Sequence, residues 1–138
     1  MDLNFQKDNF KDQSKLSIQK LAFVGDAVFE LIVRSKIVDS LQGSIGDLNS
    51  IKVKIVCCSA QSKLFEKIQN VLTEEEKLMF KRGRNAHIGN VPKNISPTVY
   101  HRATGLEVLV GFWYVTGNFD RLNMISDVLD ILQGNRGF

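Results

Sequence analysis

The chain has 138 residues, of which 43% are hydrophobic and 24% charged, with a net charge of +3. These totals fit one soluble domain with a real core, and the absence of any run of about 18 apolar residues excludes a membrane span. The two cysteines, Cys57 and Cys58, are neighbours; they cannot staple distant segments, are too few for a zinc site alone, and read as small buried apolar residues.

Residues 1–14 alternate charge with isolated phenylalanines, lack the apolar stretch of a signal peptide, and are expected to form a flexible N-terminal arm to one domain over 15–138. Ser17 can cap a first helix running from Ile18 to about Val38, with Gly43 ending the following turn. A second helix starts between Ser44 and Asp47, places Leu48, Ile51 and Ile55 at helical spacing, and ends near Cys58. Ser59 is the expected cap of a third, with Leu64, Phe65 and Ile68 inward. Thr73 and Glu76 make a capping box, predicting a fourth helix from Glu74 to Gly83. Residues 84–96 read as a loop, with Gly89, Pro92 and several asparagines. Ser96 and Pro97 open a fifth helix reaching Val115 or Thr116, and Asn118 or Asp120 opens a sixth, with Leu122, Ile125, Val128, Leu129 and Leu132 inward and Gly134 after it. No stretch alternates like a strand, so the predicted fold is all-α.

Charge is unevenly spread. Residues 1–50 hold six Lys/Arg against seven Asp/Glu, residues 51–102 ten against four, and residues 103–138 two against four. Between Lys77 and Arg102 lie six basic residues, both histidines and no acid, which is either a polyanion footprint or a solvated basic face. His87 and His101 lack ligand spacing to each other or to the cysteines and read as polar contacts or as groups facing such a polyanion.

Two stretches carry the chemistry. LAFVGDAVFELIV, Leu21 to Val33, is a mostly apolar helix with Leu21, Val24, Val28 and Leu31 on one side and Phe23, Phe29 and Val33 on the other, so it is expected to be buried nearly all round. Asp26 then stands where a lone carboxylate is costly. GLEVLVGFWYV, Gly105 to Val115, repeats the pattern, with Glu107 its only charge. Two such helices in a domain of this size should share the centre, bringing Asp26 near Glu107. Paired carboxylates repel unless a proton or cation lies between them, and Mg²⁺ favours oxygen ligands completed by water and phosphate. The bland alternatives are a helix end or buried arginine for Asp26, and His101 or Arg102 for Glu107. Glu30, one turn before Arg34, reads as an ordinary helix pair or a supporting acid behind Asp26.

LAFVGDAVFELIV resembles the signature helix of the ribonuclease III family, whose pattern is close to LEFLGDAVLELVV, and TGLEVLVG resembles its ADVFEALLG. KRGRNAHIGNVPKN followed by TVYHRATGLE is similar to the compact Mini-ribonuclease III branch, which has the catalytic domain without a double-stranded-RNA-binding domain. The likeness spans about residues 15–133. It puts Asp26 and Glu107 on two of the family's metal-binding acids, while the other two fall on Ala22 and Thr104. The resemblance implies an α-helical homodimer in the bacterial cytoplasm, cleaving double-stranded RNA with Mg²⁺ or Mn²⁺ and trimming the precursor of large-subunit (23S) ribosomal RNA, with 5′-phosphate and 3′-hydroxyl ends. Lys81, Arg82, Arg84, Asn85, Lys93, Asn94 and Arg102 are then the candidate RNA contacts, with Thr104 and Glu30 supporting the metal site. Arg82 and Arg84 have a bland alternative too, bonding the last carbonyls of the fourth helix. The competing functional reading is a non-catalytic RNA-binding or ribosome-assembly dimer that keeps the fold.

Overall fold

The computed structural model describes residues 16–87 and 89–134, and the expected arm over 1–14 lies outside them. Six α-helices follow one another: α1 (Ile18–Ser40), α2 (Ile45–Val56), α3 (Cys58–Ile68), α4 (Glu74–Asn85), α5 (Pro97–Val115) and α6 (Phe119–Gly134), with a 3₁₀ turn at Gln69–Val71. There is no strand among the described residues, so the all-α expectation holds.

Local capping chemistry sets three of the helix starts. The Ser17 hydroxyl accepts from the Lys20 N–H at 3.1 Å. Ser44 and Asp47 cap reciprocally, each bond 3.1 Å. Thr73 Oγ1 accepts from the Glu76 N–H at 3.1 Å while Glu76 Oε1 accepts from the Thr73 N–H at 2.8 Å. The third helix departs from expectation: Cys57, not Ser59, is its N-cap, with no side-chain bond, so α3 begins directly after the α2 terminus. Helix α4 also continues past Gly83 to Asn85, which places Arg84 and Asn85 in its last turn rather than in a loop.

Helix α5 is the axis of the domain. Leu106, Val108, Leu109, Val110 and Trp113 are fully buried, and α1, α3, α4 and α6 pack around it. The expectation of all-round burial is met by α5 and not by α1. Leu21, Val28, Phe29, Ile32, Val33 and Ile37 form the buried stripe of α1, whereas Phe23 (83% exposed), Leu31 and Val38 face outward. The physical reason is simple: α5 has neighbours on all sides, while α1 is an outer layer with one face on the core.

Two glycines fix how closely α1 crosses α5. A Cβ on Gly25 would lie 1.7 Å from the Glu107 carbonyl oxygen, and one on Gly111 would lie 2.0 Å from that of Leu21. No side chain fits, so the backbones themselves touch. On the opposite side of α5 a buried polar knot ties three helices. Glu76 Oε2 accepts from Trp113 Nε1 at 2.6 Å and from Arg121 Nε at 2.8 Å, and Arg121 Nη2 donates to the Val71 carbonyl at 2.9 Å.

The sixth helix starts at Phe119, buries Leu122, Ile125 and Leu129 and half-buries Val128; the Leu132 side chain lies outside the described set. Among the described residues no helix is long and apolar enough to cross a membrane.

Candidate active site

Asp26 follows Gly25 at the crossing, and Glu107 supplies the carbonyl that Gly25 touches, so the glycine contact sets both acids at the same junction. Their electrostatics confirm that they sense one another. Burial first and the Asp26 charge second push the Glu107 carboxyl up to about 7, against a hydrogen bond from Gln61 that lowers it. Asp26 is exposed, and partial desolvation, then Glu30, lift its carboxyl above the ordinary range. The repulsion within the pair therefore falls on Glu107, the more enclosed member.

Neither bland partner for Glu107 is realised. Arg102 donates to Glu66 at 3.0 Å and to Ser62 at 3.3 Å, and His101 Nε2 lies 3.3 Å from His87 Nδ1. The two histidines, distant in sequence, are thus polar contacts of each other.

The partner that Glu107 does have is Gln61, a residue with no mark in the sequence. Its Nε2 donates to the Val56 carbonyl at 2.9 Å and to Glu107 Oε1 at 3.3 Å. Those two bonds fix which end of the amide is nitrogen, and they leave the Gln61 carbonyl oxygen buried with no hydrogen-bond partner. A signal did exist for the glycines: glycine inside an apolar helix costs about 0.5–1 kcal/mol relative to alanine, so Gly25 and Gly111 mark a close approach. For Gln61 there was none.

The donor set suits a hard divalent cation. Two carboxylates that repel each other and an orphaned amide oxygen beside one of them are the oxygen ligands Mg²⁺ and Mn²⁺ prefer. Among the described residues no group of three or more His, Cys, Asp or Glu side chains is assembled, so water and substrate oxygens must complete any shell at Asp26 and Glu107. Ala22 is buried and offers no ligand, and the Thr104 hydroxyl is committed to the Tyr100 carbonyl at 3.2 Å.

Glu30 is a paired acid. Arg34 Nε donates to it at 2.9 Å and Lys52 Nζ lies 3.2 Å away. Arg34 holds its carboxyl low, burial opposes that, and Lys52 adds to the lowering. The cysteines correct their expectation: Cys57 is exposed and Cys58 only half-buried. Burial, then Glu107 and Cys57, push the Cys58 thiol up.

The basic candidates divide. Lys81, Arg84 and Arg102 line one cleft among α3, α4 and α5. Arg82 lines another, with Leu21 of α1 and Phe112 of α5. Asn85, Lys93 and Asn94 are exposed, and Asn85 accepts from Arg84 Nε at 3.2 Å.

Known proteins resemble the chain in sequence and fold. The Ribonuclease III domain family matches residues 19–118. The chain is 40% identical over 113 residues to a Mini-ribonuclease 3 of Thermoanaerobacter, covering 82% of this chain and 80% of that one. It is 39% identical over 125 residues to the Mini-ribonuclease 3 of Gloeobacter violaceus, covering 88% of each. A crystal structure of a Fusobacterium nucleatum protein superposes with a TM-score of 0.79 at 31% identity, covering 91% of this chain and 98% of that one. The chain belongs to the ribonuclease III family, on its Mini-ribonuclease 3 branch.

Proposed function

We propose that this endoribonuclease cleaves double-stranded RNA at a divalent-cation site held by Asp26 and Glu107, and that its natural substrate is the precursor of large-subunit ribosomal RNA. The observation that carries the reading is the meeting of the two acids at the Gly25 crossing, with Glu107 pushed up to about 7 by burial and then by the Asp26 charge. Asp26 and Glu107 would hold a Mg²⁺ or Mn²⁺ ion, which would supply activation of a water for in-line attack on a phosphodiester and would offset charge on the leaving oxygen, for 5′-phosphate and 3′-hydroxyl ends. The chain's own work is positional. Gln61 holds Glu107 by one oxygen, and Gly25 and Gly111 hold α1 against α5.

Lys81, Arg84 and Arg102, with Asn85 at the end of α4 and Lys93 and Asn94 along the connection to α5, supply phosphate contacts for A-form RNA, which is read mainly through its backbone. Arg82, on another face, contacts RNA only where the substrate wraps past α1. The domain spans 15–138 and acts in the bacterial cytoplasm as a homodimer. Supporting the dimer, Phe23, Ala27, Leu31 and Val38 form an exposed apolar stripe along α1 beside Asp26. Burying such a stripe in a second copy removes surface that otherwise stays in water at about 25 cal/mol per Å². Ala22 and Thr104, which add no acid, are what favour the alternative of a non-catalytic RNA-binding dimer.

Incubation with long double-stranded RNA separates the two. Cleavage is expected with Mg²⁺ or Mn²⁺ and not with chelator, and Asp26→Asn or Glu107→Gln should lower it about 10³-fold. Intact RNA with the unaltered protein across both metals would overturn the enzymatic reading.

A further inference from the structure

The cleft between α3, α4 and the start of α5 has a composition that phosphate contacts alone do not call for. Its volume is about 420 Å³, in the range of roughly 300–1,000 Å³ typical of small-molecule sites. Phe65 and Phe80 stack within it at 3.7 Å between centroids and 7° between planes. Phe80 is buried, so Phe65, half-exposed, is the ring that presents to the cleft. Beside it stand two side-chain amides, Gln69 and Asn70, both exposed and both lining the same space.

Four cations ring this aromatic floor: Lys77, Lys81, Arg84 and Arg102. Lys77 is paired with Glu74 at 3.2 Å and Arg102 with Glu66 at 3.0 Å. Lys81 and Arg84 have no carboxylate partner among the described residues, and the Arg84 guanidinium stands 6.0 Å over the Phe80 ring. The cleft thus combines a flat apolar surface, donor and acceptor amides at its edge, and two positive charges with no carboxylate partner among the described residues. That is the complement of a nucleobase joined to a phosphate: the ring stacks on Phe65, the base edge meets Gln69 or Asn70, and the phosphate meets Lys81 and Arg84.

We propose that this cleft holds a single unpaired nucleotide of the RNA substrate, such as a bulged residue flipped out of the duplex. Arg102 ties the cleft to the active site, since it lies on α5 five residues before Glu107, about 7.5 Å along the helix axis. The proposal rests on the reading of the chain as an enzyme of structured RNA and goes beyond it, because a regular duplex offers no unstacked base.

The test uses equilibrium binding, independent of cleavage. The whole protein in chelator is titrated with adenosine 5′-monophosphate, adenosine and inorganic phosphate, and then with two non-cleaved RNA duplexes that differ by one bulged nucleotide. The monophosphate should bind at least about tenfold more tightly than adenosine or phosphate, and Phe65→Leu and the pair Lys81→Ala with Arg84→Ala should each lower that affinity about tenfold. The bulged duplex should bind about fivefold or more tightly than the regular one, with Phe65→Leu erasing the difference. Asp26→Asn protein should retain both preferences. Monophosphate no tighter than phosphate, or equal binding of the two duplexes, overturns the proposal, while cleavage of regular duplex persisting beside that result would leave the enzymatic reading intact.

Discussion

Two glutamates stand on opposite sides of α5, and the same burial has opposite consequences for them. Glu76 is 4% exposed. Burial pushes its carboxyl up, but Arg121, the Thr73 N–H and Trp113 together reverse the effect and hold it below the ordinary range. Glu107 has one amide donor, Gln61, and an acid for a neighbour, and it ends near 7. A buried carboxylate given every donor it can accept knits helices together. One left short of donors beside a second acid is pushed up instead, which is the setting proposed above for a cation.

The comparison can be broken at the crossing that creates it. Gly25→Ala forces a methyl group into the Glu107 carbonyl, only 1.7 Å from where its Cβ would sit. The expected loss is about 4 kcal/mol in chemical denaturation, at the upper end of overpacking effects. Gly46→Ala is the control, because its nearest contact would be an ordinary 3.6 Å to Ser44 Oγ. Equal midpoints for the two variants would show that α1 and α5 are not in backbone contact.

At Glu76 the expected loss is next in size. Glu76→Gln leaves Arg121 and Trp113 facing a neutral amide and should cost about 3 kcal/mol at pH 7. The sign of its pH dependence follows from the lowered carboxyl: the stabilisation is present above the unfolded pKa, near 4.5, and disappears as pH falls through the folded value. Wild type and variant should therefore converge in acid.

Glu107→Gln should act in the opposite direction, and by less. In metal-free protein a carboxyl raised from 4.5 to about 7 loses stability as pH climbs through that window. The variant, which never ionises, should be more stable than wild type by about 2 kcal/mol at pH 8, with the gap closing below pH 5. Thermal or urea denaturation in chelator at the two pH values reads the sign directly. Destabilisation at pH 8 would mean that Glu107 has a cationic partner after all.

The parts of this contrast that were legible in the sequence are the local ones. Ser17, Ser44 and Thr73 announce helix starts because a cap joins a side chain to backbone three residues away. Asp26 and Glu107 stood out because an acid in an apolar helix is conspicuous, and α5 proved as central as its composition suggested. Helix α1 misled because periodicity cannot tell a residue facing the core from one facing outward beyond it, and Phe23 and Leu31 are apolar without being buried. Gln61 and the second role of Glu76 were hidden for another reason. Each depends on residues 46, 37 or 45 positions away, and an unremarkable glutamine in α3 becomes a site residue only when α5 arrives beside it.

The most direct test of the central claim is calorimetric titration of Mn²⁺ or Mg²⁺ into chelator-treated protein at pH 6 and at pH 8.5, in two buffers of different ionisation enthalpy. If Asp26 and Glu107 hold the cation, binding at pH 6 should release about one proton, supplied by Glu107, with release vanishing at pH 8.5 and binding abolished in Glu107→Gln. Equal affinity in Glu107→Gln, or proton release that does not change between the two pH values, would contradict it.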